Sequence, residues 1–313
     1  MTAFLIVGTS RSGTTLVQRL AWGLEGVRVP PETHFFGRYV RLLLEGQTFP
    51  LDEAAIRAEV ARFGKLGTSR GLAVDADCVV EDLHGTCGSP WELFGAFVRQ
   101  MAGPATLYGE KTPEHLRCWE ALTRRAPALR LICVVREPRA VVASNLDVPF
   151  APKSVAWLSE RWRLDQSLAA AARTHLGPDR CLVLRYEDVV ADPDRATMAM
   201  GAFLGAAVGT GADAAEPEVP RTHMEWEWWK ERAAGPITDQ RIDAWRERLT
   251  PPQADLILAI CGGSMGRFGY AGSPGRPTAL AKQAMIPPPE QWRRVHLHAK
   301  VRRYRSWMAK AAL

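Results

Sequence analysis

Short apolar runs separated by longer amphipathic stretches make up most of the first two thirds of the chain. The runs at residues 130–135 and 181–184 show no polar alternation, which is typical of strands buried on both faces of a parallel sheet. Between them, residues 153–175 place apolar side chains at helical spacing. This order predicts an α/β fold in three layers, with a central parallel sheet flanked by helices. Further strands are predicted at residues 4–7, 27–29 and 107–109.

Two regions interrupt this alternation. Residues 39–105 have a helical composition, with Ile56, Val60 and Phe63 at helical spacing, and predict a helical insertion that would wall a binding pocket. Residues 205–236 begin rich in Gly, Ala and Pro and then carry a dense tryptophan cluster. A flexible segment before such a cluster is more typical of a mobile lid than of the edge of a static core. We therefore predict one domain over residues 1–270, followed by a linker and a basic helical tail over residues 271–313.

The charge of the chain is concentrated in that tail. From residue 290 onward there are seven Lys or Arg and one acidic residue, which accounts for the whole formal net charge of +6. The tail is either a solvated basic helix or a contact for a partner subunit, an acidic surface or a membrane face. Without an apolar run long enough for a signal peptide or a membrane span, we expect a cytoplasmic protein. The six cysteines lack paired short spacings and are expected to be buried thiols.

A glycine-bracketed loop follows the first predicted strand. Gly8 and Gly13 stand five positions apart, so backbone N–H groups and the next helix dipole can surround an anion. The loop fits the P-loop pattern G-x-x-x-x-G-K-[ST], except that Thr14 replaces the lysine and the nearest cation is Arg11. This change suits a short phosphate better than a metal-bound triphosphate. The predicted anion site comprises Ser10, Arg11, Ser12, Gly13, Thr14 and Thr15.

Polar side chains also follow the next two predicted strands. Glu32 and His34 come after Pro30-Pro31, and two residues so spaced on an extended segment face the same way at the rim of the sheet. Lys111 precedes Thr112, which is predicted to cap a helix, and a lysine beside a helix N-terminus favours a bound anion. The alternatives are that Glu32 is a helix-capping acid and His34 a surface residue, and that Lys111 is a solvated lysine paired with Glu110 or Glu114.

A second anion site is predicted at the end of the strand over residues 130–135. Arg136 follows this strand directly, and Ser144 lies eight residues further on, about two helical turns. A guanidinium with a hydroxyl suits a phosphate group.

The glycine-bracketed loop and the Arg136–Ser144 pattern together resemble the phosphate-binding motifs of the sulfotransferases that use 3′-phosphoadenylylsulfate (PAPS). The style of these motifs is most similar to that of the tyrosylprotein and bacterial enzymes. The resemblance covers about residues 4–270.

This resemblance implies a co-substrate, a product and roles for individual residues. PAPS would be the co-substrate, adenosine 3′,5′-bisphosphate (PAP) the product, and no metal would be required. Glu32 would be the base for the acceptor hydroxyl, with His34 as its competitor, while Arg11 and Lys111 would stabilise the transferring group. Tyr186 would join Arg136 and Ser144 at the 3′-phosphate. Lys230 falls near the position where the tyrosylprotein enzymes carry a serine, so its role stays open.

Two other classes of function remain open on the sequence alone. A small-molecule or nucleotide kinase would need a lysine near position 14 and Mg²⁺, and a non-catalytic anion-binding protein would need no base at the rim. No sequence pattern identifies the acceptor, so the expected acceptor is a hydroxyl of a small molecule, glycan, lipid or peptide. Nucleic acid is not an expected partner, and the tail leaves a homodimer or a contact with an acidic surface open.

Overall fold

A five-stranded, all-parallel sheet forms the centre of the protein. The computed structural model describes residues 2–40, 46–65, 74–148, 151–209 and 235–271. The order of the strands is β2-β3-β1-β4-β5, so the predicted parallel α/β fold is confirmed. The strands are β1 (Thr2–Gly8), β2 (Val27–Arg28), β3 (Leu107–Lys111), β4 (Arg130–Val135) and β5 (Cys181–Arg185).

Helices flank the sheet, and the predicted helix over residues 153–175 is the longest of those described, ending at Leu176. No helix within the described ranges is long and apolar enough to cross a membrane. The α-helices are α1 (Thr14–Ala21), α2 (Glu53–Lys65), α3 (Ala76–Asp82), α4 (Pro90–Ala102), α5 (Trp119–Arg125), α6 (Pro138–Leu146), α7 (Val155–Leu176), α8 (Tyr186–Ala191), α9 (Pro193–Leu204), α10 (Trp245–Arg248) and α11 (Pro251–Met265).

Strand β1 lies at the middle of the sheet, with β3 on one side and β4 on the other. Its last residues pair with the ends of both neighbours, Ile6 opposite Lys111 and Gly8 opposite Val134. Because all the strands are parallel, their carboxyl ends lie along one edge, where ligands of open α/β sheets bind. The loop after β1, Lys111 and Arg136 therefore share this edge.

An aromatic cluster fills the space between the sheet and the region predicted as a helical insertion. Phe35, Phe36 and Tyr39 contact rings from α2 and α4, with Phe36 stacked on Trp91 at 5.8 Å between centroids. Such pairs contribute beyond the area they bury. The described part of this region is helical, as predicted, and it packs as core directly beneath the rim segment that carries Glu32 and His34.

The described cysteines are all free thiols, and five of the six are buried. Cys133 and Cys181 lie on neighbouring strands with their sulfur atoms 3.8 Å apart. Cys78 is exposed, because α3 presents it on a solvent-facing side of a short helix with Val79 as its buried residue. The expectation of buried thiols is therefore wrong at Cys78 and correct at the other five.

Trp162 provides a test of how α7 is tied to the sheet edge. Its ring is fully buried, and its indole N–H donates to the carbonyl of Arg136 at 2.9 Å. We expect Trp162→Phe to lower the free energy of unfolding by about 1–3 kcal/mol, because a buried carbonyl loses its donor. Urea unfolding measures this. The control is Trp157→Phe, at a half-buried tryptophan of the same helix. Equal losses of stability in the two variants would contradict the role of Trp162 in fixing α7 to the sheet edge.

Candidate active site

The loop between β1 and α1 has a backbone shape that only particular residues allow. Gly13 precedes α1 with φ 96°, and Arg11 has φ 74°. A side chain at Gly13 would place its Cβ 2.3 Å from the ring of Tyr186. Ser12 closes the loop from inside, since its N–H and hydroxyl both donate to the carbonyl of Thr9 and the hydroxyl also reaches Val134. The loop is thus preformed for an anion at a helix N-terminus.

Side chains that follow β4 hold this loop in place. The guanidinium of Arg11 donates from Nε to Ser144 Oγ at 3.2 Å. Asn145 donates to the carbonyl of Ser10 at 3.1 Å, and Arg136 donates to the carbonyl of Arg11 at 3.3 Å. The two predicted anion sites are therefore joined, because Arg11 of the first contacts Ser144 and Arg136 of the second.

Arg136 is buried at the edge of the sheet. Its guanidinium carbon lies 4.1 Å from the centroid of the Tyr186 ring, and its terminal nitrogen donates to the carbonyl of Arg241 at 2.7 Å. Burial lowers the pKa of Arg136, while the neighbouring Tyr186 and Glu187 act in the opposite direction. Its Nε is buried without a hydrogen-bond partner among the described residues. A buried cation with an unused donor fits a phosphate oxygen.

Lys111 connects two parts of the site. One is the loop between β1 and α1, called the anion loop after its predicted ligand, and the other is the rim segment, residues 32–36, which carries Glu32 and His34. Only 1% of Lys111 is exposed, so its ammonium needs anionic or polar partners. The ammonium forms an ion pair with Glu32 Oε1 and donates to Thr15 Oγ1 at 3.4 Å. The structure thus pairs Lys111 with the more distant Glu32 of the rim, a partner that the sequence did not suggest for either the bound anion or the alternative pairing with Glu110 or Glu114.

Glu32 and His34 contact each other directly. His34 Nε2 lies 3.1 Å from Glu32 Oε2, on the carboxylate oxygen opposite the one that meets Lys111. His34 has φ 50°, a left-handed conformation that costs energy in a non-glycine residue and often occurs at functional sites. The two predicted competitors for the role of base are therefore one carboxylate–imidazole pair.

A line of charged groups continues from this pair to α7. His34 Nδ1 lies 3.9 Å from Glu114 Oε2, and Arg161 donates to Glu114 Oε1 at 3.0 Å. Asp165 then contacts both Arg161 and Arg117. Burial, followed by the nearby charge of Arg117, lowers the pKa of Arg161. The imidazole thus faces carboxylates at both ring nitrogens, an arrangement that orients the ring.

Two predicted residues, Ser12 and Thr112, make contacts within the protein that the sequence did not predict, and three predicted features lie outside the described residues. The hydroxyl of Ser12 donates to the carbonyls of Thr9 and Val134 and so shapes the loop, while its contact with a ligand stays a prediction. Thr112 makes no side-chain cap for the turn at Pro113–Cys118, because its hydroxyl bonds Glu110 and the N–H of His34 instead. Lys230, most of the predicted lid and the basic tail lie outside the described residues.

Several residues of the site were missed in the sequence, namely Glu110, His115, Asn145 and Gln166. Asn145 directly follows Ser144, and Gln166 donates to the hydroxyl of Thr9 from a distant helix. Glu110 precedes Lys111 in a strand too short to reveal which face each residue takes. None of them stands in a phosphate-binding pattern, so only the folded chain brings them to the site.

These features define a class of protein. It is an α/β protein with a glycine-bracketed strand–loop–helix junction and cations at the ends of the flanking strands, a geometry that suits an anion. Within that class the chain belongs to the sulfotransferase family, whose model, described as "Sulfotransferase family", matches residues 3–209. The chain is therefore a sulfotransferase by family, and the match does not favour the kinase alternative.

A curated relative and two solved structures are similar to this chain. Carbohydrate sulfotransferase 3 of Tetronarce californica is 25% identical over 173 residues, which are 45% of this chain and 36% of that protein. The match thus spans about a third of the relative's length.

The fold is shared with the sulfotransferase domain of the Synechococcus PCC 7002 olefin synthase, at TM-score 0.53 and 20% identity over 80% of this chain and 89% of the domain. The sulfotransferase domain of the curacin biosynthetic pathway has TM-score 0.53 and 15% identity over 90% and 95% of the two chains.

Gly13 offers a direct test of the loop geometry. We expect Gly13→Ala to destabilise the protein by about 1–3 kcal/mol more than Gly205→Ala, because both variants strain a left-handed backbone but only the first crowds another side chain. Gly205, which ends α9 with φ 72°, has open space around it and is the matched control. Urea unfolding measures both values. Equal losses would mean that Tyr186 moves aside without cost.

Proposed function

We propose that this protein transfers a sulfuryl group from PAPS to an acceptor hydroxyl, with Glu32 as the general base. The observation that carries the proposal is the position of Lys111. Its buried ammonium contacts Thr15 of the anion loop on one side and Glu32 on the other. A cation between an anion cradle and a carboxylate base is where charge would develop during in-line transfer.

The two ends of the donor would be held by different strand ends. The loop amides with Thr14, Thr15 and Arg11 suit the 5′-phosphosulfate, while Arg136, Ser144 and Tyr186 suit the 3′-phosphate. The fit of this second set rests on the buried Arg136 Nε, which lacks a partner among the described residues. Ser144 would shift its bond from Arg11 or share it with the ligand.

Glu32 would take the proton of the acceptor hydroxyl as the oxygen attacks sulfur. A bond forms between the acceptor oxygen and sulfur, the bond from sulfur to the bridging oxygen breaks, and the electron pair leaves with the phosphate of PAP. Lys111 and Arg11 would offset the negative charge that collects on that bridging oxygen. His34, 3.1 Å from Glu32 Oε2, orients the carboxylate and shares the proton it gains.

The acceptor is proposed only as a class. A glycan hydroxyl is favoured by the name of the relative from Tetronarce californica, and small-molecule, lipid and peptide hydroxyls stay as alternatives. A panel of a sugar, a phenol, a long-chain alcohol and a tyrosine peptide, assayed with sulfur-labelled PAPS, separates these classes. The homodimer, the tail contact, the cytoplasmic location and the domain boundaries remain predictions.

Nucleotide binding tests the donor assignment. We expect PAP to bind in calorimetric titration and ATP to bind far more weakly, because two separated anion sites match PAP and the P-loop lysine is replaced by Thr14. Arg136→Lys should weaken PAP binding about 10- to 100-fold, since a buried charge-assisted bond is lost. Arg130→Lys is the matched control, because Arg130 begins β4, the strand that Arg136 directly follows, and donates to carbonyls of α9. Equal affinity for ATP and PAP would favour a kinase.

Substitution of the base tests the chemical step. We expect Glu32→Gln to reduce turnover by about 10²- to 10⁴-fold, the usual contribution of a positioned base, while PAP affinity stays near that of the unmodified protein. Steady-state kinetics with the best acceptor of the panel gives the turnover. His34→Gln should reduce it less, because the imidazole acts through Glu32. The reverse order, with Glu32→Gln active and His34→Gln inactive, would assign the base to His34.

A further inference from the structure

The segment that carries Glu32 and His34 has no strand partner of its own among the described residues. Strand β2 ends at Arg28, and the prolines at positions 30 and 31 have no N–H to donate, so the ladder between β2 and β3 cannot continue to the rim. A catalytic segment without backbone pairing needs another means of support, since misplacement of a base by about 1 Å can cost a factor of 100 in rate.

Side chains supply the missing pairing on both sides of the segment. Gln18 of α1 donates to the carbonyls of Val29 and Pro30, at 3.1 and 2.8 Å. On the other side, the N–H groups of the rim segment donate to side chains at the end of β3 and just after it. These bonds run from Thr33 to Glu110 at 3.0 Å, from His34 to Thr112 at 3.1 Å, and from Phe36 to His115 Nε2 at 3.2 Å.

Glu110 stands at the centre of this arrangement. It is fully buried, and its Oε1 accepts from the N–H and hydroxyl of Thr33 and from the hydroxyl of Thr112. Its Oε2 lies 2.9 Å from His115 Nδ1. Burial acts to raise the pKa of Glu110, but His115 and these hydrogen bonds outweigh it and hold the pKa below its ordinary value. The carboxylate of Glu110 thus contacts the rim segment through one oxygen and His115 through the other.

His115 links Glu110 to the backbone of Phe36, further along the rim segment. Because its Nε2 accepts the N–H of Phe36, the ring proton is assigned to Nδ1, which faces Glu110. Consecutive residues 110–112 thus meet consecutive residues 32–34, with Glu110 on Thr33, Lys111 on Glu32 and Thr112 on His34.

We propose that Glu110 and His115 are positioning residues for the base, holding residues 33–36 so that Glu32 meets Lys111 and His34. Neither residue needs to touch donor or acceptor. This inference rests on the proposed function, because it assumes that Glu32 takes the acceptor proton.

The variant Glu110→Gln tests it with little change of volume. A glutamine keeps an oxygen for Thr33 and Thr112 but turns an N–H donor toward His115, so either that contact or the bond to Phe36 is lost whichever tautomer His115 adopts. We expect the turnover number to fall about 10- to 100-fold. The KM for PAPS and the affinity for PAP should stay within about twofold, because the residues proposed to hold the two phosphates follow β1, β4 and β5, whereas Glu110 lies in β3.

A double-mutant cycle separates positioning from general stability. In a protein that already carries Glu32→Gln, the change Glu110→Gln should have almost no further effect on turnover, since groups that act as a unit are not additive. Glu59→Gln is the matched control. Glu59 is also a buried carboxylate, but it binds Tyr39, Gln47 and Arg62 and not the rim segment. It should lower stability and leave turnover unchanged.

The outcomes for the positioning role and for the proposed function are distinguishable. If Glu32→Gln abolishes transfer while Glu110→Gln keeps the turnover of the unmodified protein, or lowers it equally in both backgrounds, the positioning role is wrong and the proposed function stands. If the unmodified protein fails to bind PAP, the proposed function itself fails, and if Glu32→Gln stays active, the assignment of the base to Glu32 fails and the positioning role with it. Should Glu110→Gln not fold, Thr33→Val, which removes one hydroxyl bond to Glu110, carries the same cycle with an expected loss of a few-fold.

Discussion

The structure depends on the way in which the end of β4 fixes the loop after β1. The two strands pair up to Gly8 and Val134, and beyond them Arg136, Ser144 and Asn145 contact the loop directly. A loop with left-handed backbone at Arg11 stores strain that only such surrounding contacts maintain. An anion would therefore meet groups already in place, which reduces the ordering cost of binding. Trp162 extends this support to α7 through the carbonyl of Arg136.

On the other side of β1, toward β3, the rim segment is supported in a different way. There the backbone of the rim segment is held by side chains, and the carboxylate of Glu32 lies between a cation and an imidazole. The buried Lys111 makes these flanks interdependent, because the same ammonium contacts Thr15 and Glu32. A charge bound at the loop would therefore act on the carboxylate of Glu32 through one side chain. In a sulfotransferase this link would place the transferring group next to the base that activates its acceptor.

The sequence predicts the parallel sheet, the long helix and the anion loop because each depends on local patterns. Continuous apolar runs mark β4 and β5, and the glycine spacing marks the loop. The pairing of Lys111 with Glu32 was not predictable, since it needs the strand order that makes β3 the neighbour of both β1 and β2. Thr112 carries a strong local signal for a cap, but its hydroxyl donates to the buried carboxylate of Glu110 and accepts the N–H of His34 in place of a helix N–H. Glu110 and His115 gave no signal, because buried polar partners follow no period.

The central claim is that one bis-anionic nucleotide spans the loop after β1 and the end of β4. The most direct measurement is a crystal structure of the full chain soaked with PAP. The account predicts the 5′-phosphate within the loop between Gly8 and Thr15, and the 3′-phosphate within hydrogen-bond distance of the Arg136 guanidinium and Ser144. A nucleotide bound elsewhere, or one whose 3′-phosphate contacts neither Arg136 nor Ser144, would contradict it.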